Sequence, residues 1–105
     1  MTTTVIEMAR ITLGAGKTEA DLVAASNAFQ SGFLADQPGF IRRELIKTEG
    51  GGYADLVHWR SMADAHAIIA KVSSSAACLA YFAVMDMSGD MTAGVTHYEV
   101  LASYG

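Results

Sequence analysis

Four stretches of this chain have the make-up of strands, and none of them has a purely polar side. They run from Val5 to Leu13, Phe40 to Lys47, Tyr53 to Trp59 and Val95 to Leu101. Side chains alternate between the two faces of a strand. In the first stretch Val5, Glu7, Ala9 and Ile11 share one face, against Ile6, Met8, Arg10 and Thr12. In the second, Phe40, Arg42, Glu44 and Ile46 oppose Ile41, Arg43 and Leu45. In the third, Asp55, Val57 and Trp59 oppose Ala54, Leu56 and His58; in the fourth, Val95, His97, Glu99 and Leu101 oppose Thr96, Tyr98 and Val100. A sheet with one wet face is polar on that face. Helices cover only one face here, so the other requires a partner, and a twofold homodimer is the commonest way to supply it. At 105 residues the chain has room for one core, so residues 1–105 are expected to form a single domain that gains from extra burial.

The segments between these strands set the order. Glu19 to about Ala35 reads as a helix with an apolar stripe of Leu22, Ala25/Ser26, Phe29 and Phe33, ended by Gln37-Pro38-Gly39. Thr48 to Gly52 carries three glycines and reads as a hairpin loop. Ser61 to Asp64 has a capping signature, followed by a helix through Ala65, Ile68, Ile69 and Val72. Ser73-Ser74-Ser75 breaks it, and Ala76 to about Met85 continues as a second helical piece. Asp86 to Gly94 is a loop. The result is βαββα(α)β, the α+β ferredoxin-like pattern: a four-stranded antiparallel sheet with helices on one face.

Several functions are excluded or disfavoured. "GAGKT" at Gly14–Thr18 imitates a P-loop, but the head glycine would fall at Ile11. A β-branched residue cannot curl the backbone around a phosphate, so the stretch reads as a turn into a helix capped by Thr18, with Asp21 three residues on. The element order is shared with RNA-recognition modules, and Gly52-Tyr53-Ala54 fits part of their motif. Asp55 then stands where an aromatic should stack, and Gly51 where a base-binding cation should be. With 7 basic and 11 acidic residues the net charge is −4, against nucleic-acid binding. Hydrophobic content of 51% with 17% charge describes a globular chain. The single cysteine, Cys78, forbids an internal disulfide, and the first ten residues lack a signal pattern. No apolar run reaches membrane-spanning length. A cytoplasmic protein without membrane or nucleic-acid partners is expected.

Chemistry-bearing residues are few. His58, His66 and His97 lack metal-ligand spacing, and no metal site is expected. Glu7 and Asp55 become neighbours if the first and third strands run parallel; they then share a proton as acid and base, or else sit at an edge in water. Asp86 and Asp90 alone make a poor site for a hard cation. Met85, Met87 and Met91 fill core gaps or line a pocket mouth. Cys78 reads as inert packing.

Two motifs go further: Gln37-Pro38-Gly39-Phe40 leading into the second strand, and Val57-His58-Trp59-Arg60-Ser61 closing the third. On these the chain resembles, over nearly its whole length, the antibiotic-biosynthesis-monooxygenase superfamily of dimeric α/β barrels. That family includes cofactor-independent quinone-forming monooxygenases, haem-degrading enzymes and proteins of unknown function. The resemblance implies that Trp59 points at the helices and lines a cavity with Val57, Asp55, Glu7, Ala9 and Ile11. Phe29, Phe33, Tyr81, Phe82 and Met85 would complete an apolar pocket for a small flat or aromatic ligand. His58 would face the dimer interior with Met8 and Arg10. The family's haem degraders use an asparagine and an axial histidine at places that fall on Ala9 and near Tyr81, so no cofactor is expected. The implied activity is cofactor-independent oxygenation, with Tyr81 orienting the substrate and Glu7 or Asp55 as base. The alternative is a ligand-binding or stress-associated dimer without turnover.

Overall fold

Three capped helix starts, at Thr18, Ser61 and Ser75, and one irregular strand set the architecture. The computed structural model describes residues 3–87 and 94–105. The elements are β1 (Val5–Ile11), α1 (Glu19–Gly32), β2 (Phe40–Lys47), β3 (Tyr53–Trp59), α2 (Met62–Ala67), α3 (Ala76–Phe82) and β4 (Val95–Glu99). The strands form one sheet in the order β2-β3-β1-β4, and every pairing is antiparallel. This is the α+β, ferredoxin-like fold.

The β1–α1 connection is a structural turn. Lys17 N–H donates to Gly14 C=O at 3.1 Å, and Gly14 N–H donates to Val84 C=O at 3.0 Å. Gly16 takes a positive φ of 76°. The Gly14 and Lys17 amides are thus tied to the protein's own carbonyls, and that of Thr18 to Asp21, which leaves them unavailable to a phosphate. Thr18 and Asp21 then cap α1 reciprocally: Asp21 N–H donates to Thr18 Oγ1 at 3.2 Å, and Thr18 N–H to Asp21 Oδ2 at 2.9 Å. Ser61 caps α2 by accepting from Asp64 N–H at 3.1 Å.

Element ends differ from the sequence pattern. α1 stops at Gly32, and a 3₁₀ turn at Leu34–Asp36 follows it. The helix expected through Val72 is α2 followed by 3₁₀ turns at Ile68–Ala70 and Val72–Ser74. β-branched Ile68, Ile69 and Val72 favour α-helix less than the preceding Met-Ala-Asp-Ala run, so the tail tightens into 3₁₀ geometry. β1 ends at Ile11, with Leu13 making only an isolated bridge to Met85. β4 ends at Glu99, and Leu101 is exposed rather than on a sheet face.

Two expectations about the sheet are corrected. β1 and β3 run antiparallel, with Glu7 opposite Val57 and Ala9 opposite Asp55. Glu7 and Asp55 therefore share a face as diagonal neighbours, without parallel pairing. In β2 a bulge lies between Phe40 and Arg42. Phe40 pairs with Trp59, Arg43 with Val57 and Leu45 with Asp55. The bulge flips the parity, so Phe40 joins Arg43 and Leu45 beneath the helices, and Ile41 is left exposed.

The core lies between sheet and helices. Val5, Ile11, Val57 and Trp59 pack against Leu22, Phe29, Phe33, Leu34, Ala65, Ile68, Cys78 and Tyr81. The other sheet face carries Ile6, Met8 and Leu56, which are partly exposed, and Tyr98, which is largely exposed. Among the described residues no single helix is long and apolar enough to cross a membrane.

Gly39 pins β2 to α2. Its φ is +80°, and a Cβ there would collide with the Asp64 side chain. Its carbonyl accepts from Arg60 N–H at 2.7 Å. Gly39→Ala is expected to lower stability by about 1–3 kcal/mol, read as a lower urea midpoint with an unchanged slope.

Candidate functional site

The bulge in β2 delivers a charged side chain into the core. The Arg43 side chain is only 5% exposed. Its Nε donates to Asp55 Oδ1 at 2.9 Å. Its Nη2 donates to Ser26 Oγ at 2.5 Å and to the Tyr81 hydroxyl at 2.9 Å. Nη1 reaches Ser26 C=O at 3.4 Å and Gln30 Oε1 at 3.3 Å. Tyr81 in turn donates its proton to Asp55 Oδ2 at 2.9 Å. The guanidinium also lies 5.0 Å from the Phe29 ring centroid and 5.3 Å from that of Tyr81. Residues from α1, β2, β3 and α3 meet in this one network. Burial raises the Asp55 pKa, while the Arg43 charge and the Tyr81 and Arg43 hydrogen bonds oppose the rise. Burial, and then the Asp55 charge, push the Tyr81 phenol well above its ordinary range.

Glu7 stands apart from this network. Trp59 Nε1–H donates to Glu7 Oε1 at 3.1 Å. Burial raises the Glu7 pKa to about 7, opposed by the Trp59 hydrogen bond and reinforced by the Asp55 charge. Across β4, His97 Nε2 lies 3.4 Å from Glu7 Oε1 and is buried without a hydrogen bond among the described residues. The His97 pKa is lowered, chiefly by burial and secondarily by His66. His66, on α2, meets the His97 ring edge-on with centroids 4.9 Å apart.

Both groups line one cavity of about 650 Å³ between sheet and helices. Its floor is Glu7, Ala9, Ile11, Asp55, Val57 and Trp59; its roof includes Phe29, Ile68, Val72, Tyr81 and Phe82; Met85, Asp86 and Met87 lie along it. Phe33 sits one layer back, stacked on Phe29 at 5.8 Å. Asp90 and Met91 lie outside the described residues. His58 is on the opposite face, where its Nε2 lies 3.0 Å from Glu44 Oε1. Cys78 is fully buried and its thiol pKa is raised by burial, which fits inert packing. Among the described residues no group of three metal-ligating side chains converges.

Sequence reasoning passed over Arg43 and left His97 without a role. Strict alternation put Arg43 beside Ile41, and only the bulge reveals its real neighbours. The signal available was chemical: one of two adjacent arginines in a strand must point inward unless the strand is irregular, and an inward arginine needs a carboxylate such as Asp55.

The fold is that of antibiotic-biosynthesis-monooxygenase-like proteins. No protein-family model matches the chain, and no curated protein matches it in sequence. Solved structures do. SnoaB, a cofactor-independent oxygenase from Streptomyces nogalater, superposes with a TM-score of 0.68 at 18% identity, over 98% of this chain and 96% of that one. A Bordetella bronchiseptica protein assigned as an antibiotic biosynthesis monooxygenase gives 0.70 at 16% identity, over 95% and 99%. The heme-degrading protein Rv3592 from Mycobacterium tuberculosis gives 0.64 at 20% identity, over 100% and 99%. At these identities the likeness is one of fold.

The buried ion pair generates a prediction. Arg43→Met leaves Asp55 uncompensated and is expected to cost about 3–5 kcal/mol, whereas the double variant Arg43→Met/Asp55→Leu recovers much of that loss. Chemical denaturation of the single and double variants checks it.

Proposed function

We propose that this chain is a cofactor-independent oxygenase acting on a small, flat aromatic substrate bound in the cavity over Trp59, with Glu7 as the general base. The observation that carries this is the Glu7 carboxyl group, largely buried on the cavity floor beside Trp59 and outside the Arg43–Asp55–Tyr81 network, with burial raising its pKa to about 7. A base is most effective when its pKa lies near the working pH. In the proposed reaction Glu7 takes a proton from the ring CH₂ of a phenol's keto tautomer, and the resulting anion is oxidised by O₂. One oxygen atom becomes the new carbonyl, and the other leaves as water with the two hydrogens. Asp55 and Tyr81 act with Arg43: their network fixes the Tyr81 ring as a wall, and the Asp55 charge helps to hold the Glu7 pKa high. The substrate-orienting donor assigned to Tyr81 is constrained by this network, since its proton is given to Asp55.

Haem does not fit these residues. Ala9 offers no polar group, and the Tyr81 oxygen is held by Arg43 and Asp55. The partly exposed sheet face of Ile6, Met8 and Leu56 supports a homodimer closed through that face. We further propose a single-domain protein working in the cytoplasm, consistent with its single cysteine. A second reading, a ligand-binding dimer without turnover, is favoured by the mutual pairing of Asp55 and Tyr81, which takes both out of the set of groups able to move a substrate proton.

Oxygen uptake across a panel of phenols and hydroquinones separates the two readings. The expected result is uptake whose rate rises with pH and levels off above about 7, as Glu7 ionises. Glu7→Gln is expected to lower kcat by about 10²-fold or more. Binding without uptake throughout the panel would favour the second reading.

A further inference from the structure

Glu7 is largely buried on the cavity floor, and a base placed there has to exchange its proton with water. The cavity itself is a poor route. Its walls are mostly apolar, so a proton carried on water between them is poorly solvated, and a bound ligand would displace that water. Two side chains reach the Glu7 carboxyl among the described residues. The Trp59 indole N–H donates to Oε1 at 3.1 Å, and an indole can only donate. His97 Nε2 lies 3.4 Å from the same oxygen, and an imidazole both takes and gives protons. The β1–β4 register puts Glu7 and His97 directly opposite.

His97 faces two ways. Nε2 is buried beside Glu7, yet the side chain as a whole is 17% exposed. Its exposure therefore lies away from Nε2. His66, exposed on α2, packs edge-on against the His97 ring with centroids 4.9 Å apart. Glu7, His97 and His66 thus lead from the cavity floor to the surface.

We propose that His97 is a proton relay for Glu7: the carboxyl proton passes to Nε2 while Nδ1 releases one to water, and the reverse transfers restore it. One proton leaves the ring for each one it takes up, and no electrons move. The 3.4 Å separation is longer than a formed hydrogen bond and has to shorten for transfer. His97 acts through Glu7 as a positioning residue and touches no reacting atom. The relay gives the base of the oxygenase reading its link to water, and rests on that reading for its use. The groups facing the pair agree with it. His66 faces His97 from α2, and Asp55 acts on Glu7 from β3. Burial and then His66 disfavour the imidazolium, and burial disfavours the Glu7 carboxylate. An ordinary imidazole would hold the proton against an ordinary carboxylate; burial removes that bias.

The test is NMR on the whole chain labelled with carbon-13 glutamate and nitrogen-15 histidine, and it needs neither substrate nor turnover. In the parent, the His97 nitrogen shifts should show an inflection at the Glu7 carboxyl midpoint, and Glu7→Gln should remove it. Relaxation dispersion of the Glu7 carboxyl carbon, at each protein's own midpoint, reads the rate of proton exchange. His97→Leu is expected to slow that exchange about 10²-fold, the usual worth of a positioned proton carrier. His97→Gln can still hydrogen-bond Glu7 but cannot pass a proton through, so it should be equally slow. Added imidazole should restore the rate in His97→Leu. Parent-like exchange in His97→Gln alone would overturn the proposal and leave His97 a structural hydrogen-bond partner. Parent-like exchange in both variants would overturn it too, with cavity water as the route. Absence of the inflection in the parent would overturn it whatever the variants do. Oxygen uptake judges the oxygenase reading separately: a relay without uptake keeps the proposal and removes the oxygenase, and uptake with parent-like exchange in His97→Leu does the reverse.

Discussion

The fold is organised around one buried ion pair, Arg43 with Asp55, closed by the Tyr81 hydroxyl. It joins β2, β3, α1 and α3 at a point where each group's desolvation is tolerable only because the others are in place. The network also sets the chemistry beside it. It holds Tyr81 against Phe29, with ring centroids 4.7 Å apart, and so fixes part of the cavity roof. It occupies Asp55, so that Glu7 is left as the separate carboxyl. The Asp55 charge in turn adds to the burial that raises the Glu7 pKa.

A pocket built this way has two kinds of polar group. Arg43, Asp55, Tyr81 and Ser26 satisfy one another and contribute rigidity. Glu7 stands outside that set, accepting from Trp59 with His97 Nε2 3.4 Å away, and is the group the proposed chemistry uses. Trp59 lies between the two sets: its ring is a cavity wall, and its indole N–H takes one oxygen of Glu7. The same fold supports a cofactor-independent oxygenase and a heme-degrading protein at comparable similarity. Chemistry on this scaffold is therefore set by which side chains stand at the floor and roof, and not by the path of the backbone.

Much of this was legible in the sequence, because strand alternation and helix caps are local. The reciprocal cap at Thr18 and Asp21 and the Ser61 cap could be read from spacing. The two sets of side chains on β1, β3 and β4 followed from period-two alternation, and the resemblance carried by Trp59 implied which set of β1 and β3 faces the helices. The bulge in β2 did not, since nothing in Phe40-Ile41-Arg42-Arg43 marks where an extra residue enters, and one such residue reverses every later side chain. That reversal hid Arg43, and with it the reason Tyr81 and Asp55 sit together. His97 was grouped with Val95 and Glu99 on one side of the last strand, but its place beside Glu7 depends on the pairing of β4 with β1. The helix ends were misjudged where β-branched Ile68, Ile69 and Val72 favoured 3₁₀ turns.

The proposed chemistry requires Glu7 to be half-protonated near neutrality, beside an Asp55 already paired with Arg43 and Tyr81. The most direct measurement is a pH titration of the side-chain carboxyl carbon by NMR on carbon-13-glutamate-labelled protein, with the Glu7 signal assigned by its absence in Glu7→Gln. A midpoint near pH 7 is the predicted result. A midpoint at the ordinary glutamate value, about 4.3, would contradict it.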